Sequence, residues 1–224
     1  RYVGGWLQNG AFNPLVAPTT LYNLYGWGYN PFGELGLNNQ TYYSSPKQVG
    51  SLTTWSIVST AGNFSAGIKT DGTLWAWGRN FYGALGRGNR TYYSSPKQVG
   101  ALSNWSSIFG SYAHTTAIKS DGTLWACGYN QYGGLGNGTT INYSSPIQIG
   151  SNLWTQVASG YYFSLAIQSN GTLWAWGNNS YGQLGTSDLT HRSSPVQIGS
   201  NLWKQIAGGY YHTLAIQSNG TLWA

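Results

Sequence analysis

Gly72-Thr-Leu-Trp75-Ala-Trp77-Gly78, continued by Tyr82-Gly83-Ala-Leu85-Gly86, Ser94-Ser95-Pro96 and Trp105, is the stretch that decides the fold, because it returns along the chain. The Gly closing the Trp-Gly pair recurs at Gly28, Gly78, Gly128 and Gly177, a spacing of 50, 50 and 49. Ser-Ser-Pro keeps step at Pro46, Pro96, Pro146 and Pro195. A period of this length marks stacked supersecondary units, none of which can bury its apolar face alone. A residue found in every copy is therefore read first as architecture, and function is sought in what differs between copies.

Each copy divides into four short strands. Ile147-Gln-Ile149 follows a proline, as an edge strand does. Trp154-Thr-Gln-Val157-Ala158 and Phe163-Ser-Leu165-Ala-Ile167 alternate, and Thr172-Leu-Trp174-Ala-Trp176-Gly177 is the return strand. Asn170-Gly171, matched by Asp71-Gly72, Asp121-Gly122 and Asn219-Gly220, predicts a type I′ hairpin with both central residues at positive φ. Four strands per ~50 residues without helical periodicity describe a propeller blade. In the loop that follows, Gly182 and Gly185 supply positive φ while Leu184 plugs back into the blade. Eleven of the twelve Trp lie at repeat positions, Trp6 being the exception, and are read as core. Trp75, Trp77, Trp125, Trp174 and Trp176 are expected to be shielded from solvent.

The string Gly-Thr-Leu-Trp-Ala-Trp-Gly-x-Asn-x-Tyr-Gly-x-Leu-Gly, with Ser-Ser-Pro and then Gly-x-x-His-Thr-x-Ala-Ile, resembles the repeat of the regulator of chromosome condensation family over residues 21–224. The resemblance implies a propeller, usually of seven blades of about 50 residues. Such repeats serve nucleotide-exchange factors, secreted inhibitors and bacterial or phage surface proteins, so the fold alone does not name a function. The expected organisation is an all-β chain. Residues 1–20 form a connecting segment, and 21–224 a propeller repeat domain with repeats near 21–71, 72–121, 122–170 and 171–224. Leu21–Gly28 already supplies a return strand and the final Gly220-Thr-Leu-Trp223-Ala224 begins another. The four blades are accordingly read as an incomplete arc of a larger, about seven-bladed propeller. The chain opens Arg1-Tyr2-Val3 without initiator Met and is read as a mature form or a fragment.

Only 6% of the residues are charged, against a usual level of about 25%. The chain holds 18 Tyr, 12 Trp and 33 Gly, and that aromatic density argues against disorder. No apolar run approaches the ~20 residues of a spanning helix, so no membrane insertion is expected. The net charge of +6 comes from ten scattered Lys and Arg against four acids, and without a basic run it predicts no nucleic-acid partner. Low charge, absent Met and a single Cys point to an extracellular or virion surface.

No grouping suggests catalysis, a metal or a cofactor. Cys127 replaces the Trp found at 27, 77 and 176, and is read as a buried hydrophobe rather than a nucleophile. His114 and His212 occupy the slot that holds Phe64 and Phe163, which makes it a packing slot; His191 lies in a variable loop and is read as solvated. Asp71 and Asp121 are turn residues replaced by Asn elsewhere, leaving Glu34 and Asp188 in loops of different blades, with nothing in the sequence to place them together as paired-carboxylate chemistry requires. The Gly-rich loops lack the strand–loop–helix context and terminal Lys of a phosphate cradle. Nine Asn-x-Ser/Thr sequons, such as Asn39, Asn63, Asn89 and Asn137, matter only in a glycosylating pathway.

The loop after Trp-Gly varies most, and binding residues concentrate on loops held by rigid scaffolds. The second copy places Arg79, Phe81, Arg87 and Arg90 there, the densest cationic and aromatic grouping. Tyr42, Tyr43, Tyr92, Tyr93 and Tyr143 add amphipathic rings suited to protein or glycan contact. These nine are the candidate binding residues. The leading expectation is a non-enzymatic structural or recognition module with protein partners, other copies or structural subunits among them. An exchange factor for a small GTPase, a secreted enzyme inhibitor and a glycan-binding lectin are the alternatives.

Overall fold

The computed structural model describes residues 22–51 and 54–224. The connecting segment expected over 1–20, and Trp6 within it, lie outside the described residues. All assigned strand pairs are antiparallel and no helix occurs among the described residues. Strands β1 (Tyr25–Gly28) and β2 (Tyr43–Gln48) form a two-stranded flank. A complete blade follows: β3 (Trp55–Thr60), β4 (Phe64–Lys69), β5 (Leu74–Gly78) and β6 (Tyr93–Gln98). Next come β7 (Trp105–Gly110), β8 (His114–Lys119) and β9 (Thr123–Gly128), whose fourth strand is the first half of β10 (Tyr143–Ser159). The second half of β10 opens a third complete blade with β11 (Phe163–Gln168), β12 (Thr172–Gly177) and the first half of β13 (Arg192–Gly208). The second half of β13, with β14 (Thr213–Gln217) and β15 (Leu222–Trp223), makes a three-stranded flank. The four repeats thus give three complete blades and two flanks, a partial propeller.

The first blades have separate strands, as the sequence predicts, but β10 and β13 run 17 residues each across two blades. The reason is one residue. Gly50 and Gly100 are followed by four residues before Trp55 and Trp105, whereas Gly150 and Gly199 are followed by three before Trp154 and Trp203. The shorter connection stays in the ladder, with Leu153 paired to Thr123 and Leu202 to Thr172.

The hairpins sit where Asp-Gly and Asn-Gly predict them, but the turn type differs. Gly72, Gly122, Gly171 and Gly220 hold φ between 76° and 88°, while their Asp or Asn neighbours do not have positive φ. Gly72 N donates to Lys69 O at 2.9 Å and Lys69 N to Thr73 O at 3.0 Å, the pattern of a type I turn closed by a left-handed Gly. Asp71 serves through its carboxylate instead, accepting from Thr73 N at 3.0 Å and Thr73 Oγ1 at 2.6 Å, and Asn170 does the same for Thr172.

The core forms at the seams between blades. Phe64, Ile68 and Leu74 of one blade pack with Trp105 and Ile108 of the next, and Leu85, Leu135 and Leu184 each plug in from the long loops as expected. Trp77 and Trp176 are buried, but Trp75, Trp125 and Trp174 are only half-buried. Two of them carry a cation: Lys69 Nζ lies 3.5 Å from the Trp75 ring centroid and Lys119 Nζ 3.7 Å from that of Trp125, while Gln168 takes the Lys position beside Trp174. On the flanks Trp27, the counterpart of Trp77, and Trp223, the counterpart of Trp75, are 58% and 53% exposed.

Each seam is also latched by hydrogen bonds. The carbonyl before the plugging Leu accepts from a hydroxyl of the next blade: Glu34 O from Ser65 (2.8 Å), Ala84 O from Thr115 (2.8 Å), Gly134 O from Ser164 (2.8 Å) and Gln183 O from Thr213 (2.7 Å). Trp77 Nε1 and Trp176 Nε1 donate to the same Glu34 and Gly134 carbonyls at 2.8 and 2.9 Å.

Candidate functional site

One end of the blades carries both the long loops, 29–42, 79–92, 129–142 and 178–191, and the short turns near 62, 112, 161 and 210. Phe163 pairs with Gly177, so the turn before one strand lies beside the loop after its neighbour. Arg79 N, Tyr129 N and Asn178 N donate to Asn63 O, Ala113 O and Tyr162 O, each at 2.9 Å. The loops are held from within by a buried Asn. Asn80 Nδ2 donates to Asn89 O (2.9 Å) and Thr91 O (3.1 Å), and its Oδ1 accepts from Leu85 N (3.0 Å). Asn30, Asn130 and Asn179 repeat this arrangement. The side chains between these anchors are free to differ.

The same end carries a continuous tyrosine surface. Tyr112, Tyr161 and Tyr210 come from equivalent turns of successive units and form a staircase. Their centroids are 4.4 Å apart for Tyr112–Tyr161 and 4.0 Å for Tyr161–Tyr210, the latter stacked at 24°. Tyr162 joins Tyr161 to Tyr129 (4.6 Å) and Tyr132 (5.4 Å), and Tyr211 joins Tyr210 to Tyr181 (4.7 Å). At the first copy the staircase stops, since Gly62 stands where the others carry Tyr, and a Cβ there would come within 2.7 Å of the Tyr112 ring. Burial and the Tyr162 hydroxyl push the Tyr161 phenol up to about 12, and burial raises Tyr162 and Tyr129 as well. These hydroxyls stay neutral and act as hydrogen-bonding groups on an apolar platform.

The nine residues singled out from sequence do not form one patch. Arg79, Phe81 and Tyr92 come together: the Arg79 guanidinium lies 5.2 Å from the Phe32 ring and 5.8 Å from Phe81, with the Tyr92 and Tyr112 hydroxyls as neighbours. Arg79 therefore bridges loop and staircase. Arg87 turns away, donating to Gln98 O with its guanidinium 5.1 Å from the Tyr93 ring. Arg90 is exposed. Tyr42 is exposed against Tyr29 at 5.0 Å; Tyr43 and Tyr93 accept from Asn39 (3.2 Å) and Asn89 (3.3 Å); Tyr143 packs on the seam core. The staircase was missed because Tyr161-Tyr162 and Tyr210-Tyr211 look like ordinary turn residues until stacking brings copies together. The signal available was the aromatic pair directly after Gly160 and Gly209.

His114 is buried with both ring nitrogens bonded, and burial lowers it to about 3. His212 is exposed on the flank. His191 is exposed but not merely solvated: its Nδ1 accepts from Asn179 N at 3.0 Å, the place Asn142 Oδ1 takes on Asn130 N. Burial pushes the Cys127 thiol up to about 12, so it stays protonated beside Ala84 O. The acids are engaged locally: Asp188 pairs with Arg192 at 2.5 Å and Glu34 accepts from Phe32 N at 2.9 Å. Among the described residues no three His, Cys, Asp or Glu side chains converge, and no helix is long and apolar enough to cross a membrane.

The family described as the regulator of chromosome condensation (RCC1) repeat matches residues 23–68, 71–118, 121–167 and 170–216, and a second RCC1 repeat description matches 57–84, 105–133 and 154–183. No curated protein sequence matches the chain. Among solved structures, human WBSCR16 is similar at 20% identity and a TM-score of 0.79, over 88% of this chain and 53% of its own. Yeast RCC1 (Prp20) bound to Kap60 is 21% identical with a TM-score of 0.79, over 91% of this chain and 52% of its own. Prp20p from Saccharomyces cerevisiae, in a structure described with its binding properties to Gsp1p and histones, gives 20%, 0.77, 91% and 53%. The chain spans about half the length of the structures it matches.

Proposed function

The chain belongs to the regulator of chromosome condensation (RCC1) repeat family, and on that premise we propose that it is a non-catalytic protein-interaction module whose loop face carries the binding surface. The observation that carries the reading is the division of labour on that face. Asn30, Asn80, Asn130 and Asn179 build the same loop four times, while the side chains displayed between them change from copy to copy. A rigid frame with variable loops is the arrangement of a recognition surface. Half-exposed tyrosines beside Arg79 supply the residue types enriched at interaction hot spots. The Prp20 structures are described with protein partners, Kap60, Gsp1p and histones, and protein is the partner class proposed here. An extracellular or virion-surface setting is part of the proposal and rests on composition, 6% charged residues and one Cys.

Photocrosslinking tests the face. A benzoylphenylalanine at Phe81 or Tyr181, both exposed on the loop end, is expected to capture one defined protein from the native source. The same group at Leu153 or Leu202, exposed at the hairpin end, is expected not to. Equal capture from both ends, or from neither, overturns the reading.

A further inference from the structure

Between the β6 side of the first complete blade and the β7–β9 side of the second lies a cleft of about 440 Å³. None of the loop-face tyrosines lines it. Its walls include Arg87, Gln98, Leu102, Trp105, Trp125 and Ser145. The preceding seam has the equivalent cleft, of about 290 Å³, with Leu37 where this one has Arg87. The other copies carry Asn137 and Thr186 at that position. Arg87 is thus what distinguishes this cleft, by the same rule that seeks function in the differences between repeats.

The guanidinium is half-buried and incompletely used. One terminal nitrogen donates to Gln98 O, the plane rests near the Tyr93 ring, and Nε is buried without a hydrogen-bond partner. Trp105 Nε1 is also unpartnered, but so are Trp55, Trp154 and Trp203 Nε1 at the same position of the other copies, which leaves Arg87 as the feature particular to this cleft. Lys119, which does not line the cleft, packs its Nζ 3.7 Å from the Trp125 ring centroid and 5.2 Å from that of Trp105, as Lys69 does on Trp75 and Trp55, so Arg87 is the only cation among the cleft's lining residues. No acid is among the cleft's lining residues. An Arg in this state matches a carboxylate, which accepts two parallel N–H donors from one guanidinium. Leu102 and the Trp125 ring offer an apolar surface for the residue next to that carboxylate.

We propose that this cleft binds an acidic segment of a partner protein, an Asp or Glu carboxylate seated on Arg87 and a neighbouring apolar side chain against Leu102 and Trp125. This extends the protein-interaction reading to a second surface. Because the two surfaces share no tested residue, failure of the photocrosslinking and failure here are separate results.

The test uses the full 224-residue chain and a capped hexapeptide, Gly-Asp-Leu-Glu-Phe-Gly, with its Asn/Gln counterpart as control. Titration calorimetry at low salt is expected to show saturable binding of one equivalent, at least tenfold weaker for the neutral peptide. Indole N–H resonances of Trp105 and Trp125 should shift, and those of Trp154 and Trp176 should not. Arg87→Leu, the residue found at position 37, should weaken binding at least tenfold with an unchanged circular dichroism spectrum, and Lys204→Gln, an exposed cation on the last flank, should leave it within twofold. Absence of saturable binding, equal affinity for the two peptides, binding indifferent to Arg87→Leu, or shifts confined to other indoles overturns the proposal. So does an oligothymidylate that displaces the peptide and binds more tightly, which would make the site one for phosphate backbones.

Discussion

His114 Nε2 lies 2.9 Å from Ser164 Oγ, across the seam between two blades. The Ser164 hydroxyl donates onward to Gly134 O at 2.8 Å, so its oxygen must accept from Nε2–H. On the other side Nδ1 is 2.6 Å from Ser111 Oγ, which accepts from His114 N; in a neutral ring with its proton on Nε2, Nδ1 in turn accepts the Ser111 hydroxyl proton. The neutral imidazole, favoured by complete burial, uses both ring nitrogens in this network.

A pH dependence follows. Burial depresses the folded-state value from 6.5 to about 3, so above pH 6.5 the contribution of His114 to stability is fully present. As pH falls from there towards 3 the unfolded chain takes up a proton that the folded chain refuses, and stability declines by about 1.4 kcal/mol per pH unit. His114→Phe, the residue at positions 64 and 163, should remove that slope. Urea unfolding between pH 7 and about 4.5 checks it: identical slopes for the two proteins would refute the burial argument.

Gly171→Val should lower the melting midpoint. Gly171 holds φ at 86°, and a β-branched residue there costs about 1 kcal/mol or more. Asn170→Asp should be tolerated, because Asp71 and Asp121 make the same two bonds to their Thr neighbours. An unchanged midpoint in Gly171→Val would show that the turn relaxes to another type.

Asn80→Ala should be more damaging. It strands Leu85 N, a buried group whose loss of a partner costs about 1–3 kcal/mol, and releases the part-buried Asn89 O and Thr91 O. Phe81→Ser, next in sequence but exposed and matched by Ser180, should stay within about 0.5 kcal/mol of the parent. Denaturant midpoints of the two variants measure the contrast, and similar losses would mean that Asn80 does not hold the loop.

Cys127→Trp restores the residue of the other copies, yet should destabilise. The space beside Cys127 is a cavity of about 10 Å³, far too small for an indole, and overpacking costs about 1–3 kcal/mol. A raised melting midpoint would show that the seam expands freely.

The blade was legible in the sequence because its marks are local: alternation, Asp-Gly or Asn-Gly, and a 50-residue period. The turn type was not, since Asp-Gly suits both a two-residue turn and a type I turn closed by Gly; the choice lay in the Thr73 hydroxyl, whose bond to Asp71 no pattern advertises. The shielding of Trp75 was overestimated for a related reason: alternation places a ring on a face but does not reveal how much of that face a neighbour covers, and Trp75 stays half-buried with Lys69 against its ring. Arg79 was chosen as part of a cationic and aromatic loop grouping, and its contacts with Phe32 and Tyr112 were not legible because those residues come from neighbouring units of the stack. The tyrosine staircase has the same origin. Contacts between residues one period apart become visible once the units are stacked.

The missing residue between Gly150 and Trp154 has a consequence for how the array comes apart. From β7 to β15 the ladder is unbroken, nine strands in one sheet, whereas β3–β6 form a sheet of their own. Opening the seam at Gly100–Asn104 disrupts no strand, but opening the one at Gly150 must break β10 itself. Nearest-neighbour coupling in a repeat array is set by such interfaces. The chain should therefore exchange its amide protons as two cooperative blocks, the early blade releasing first while the later units open together. One deletion in a connector turns a row of similar blades into a weak link and a strong one.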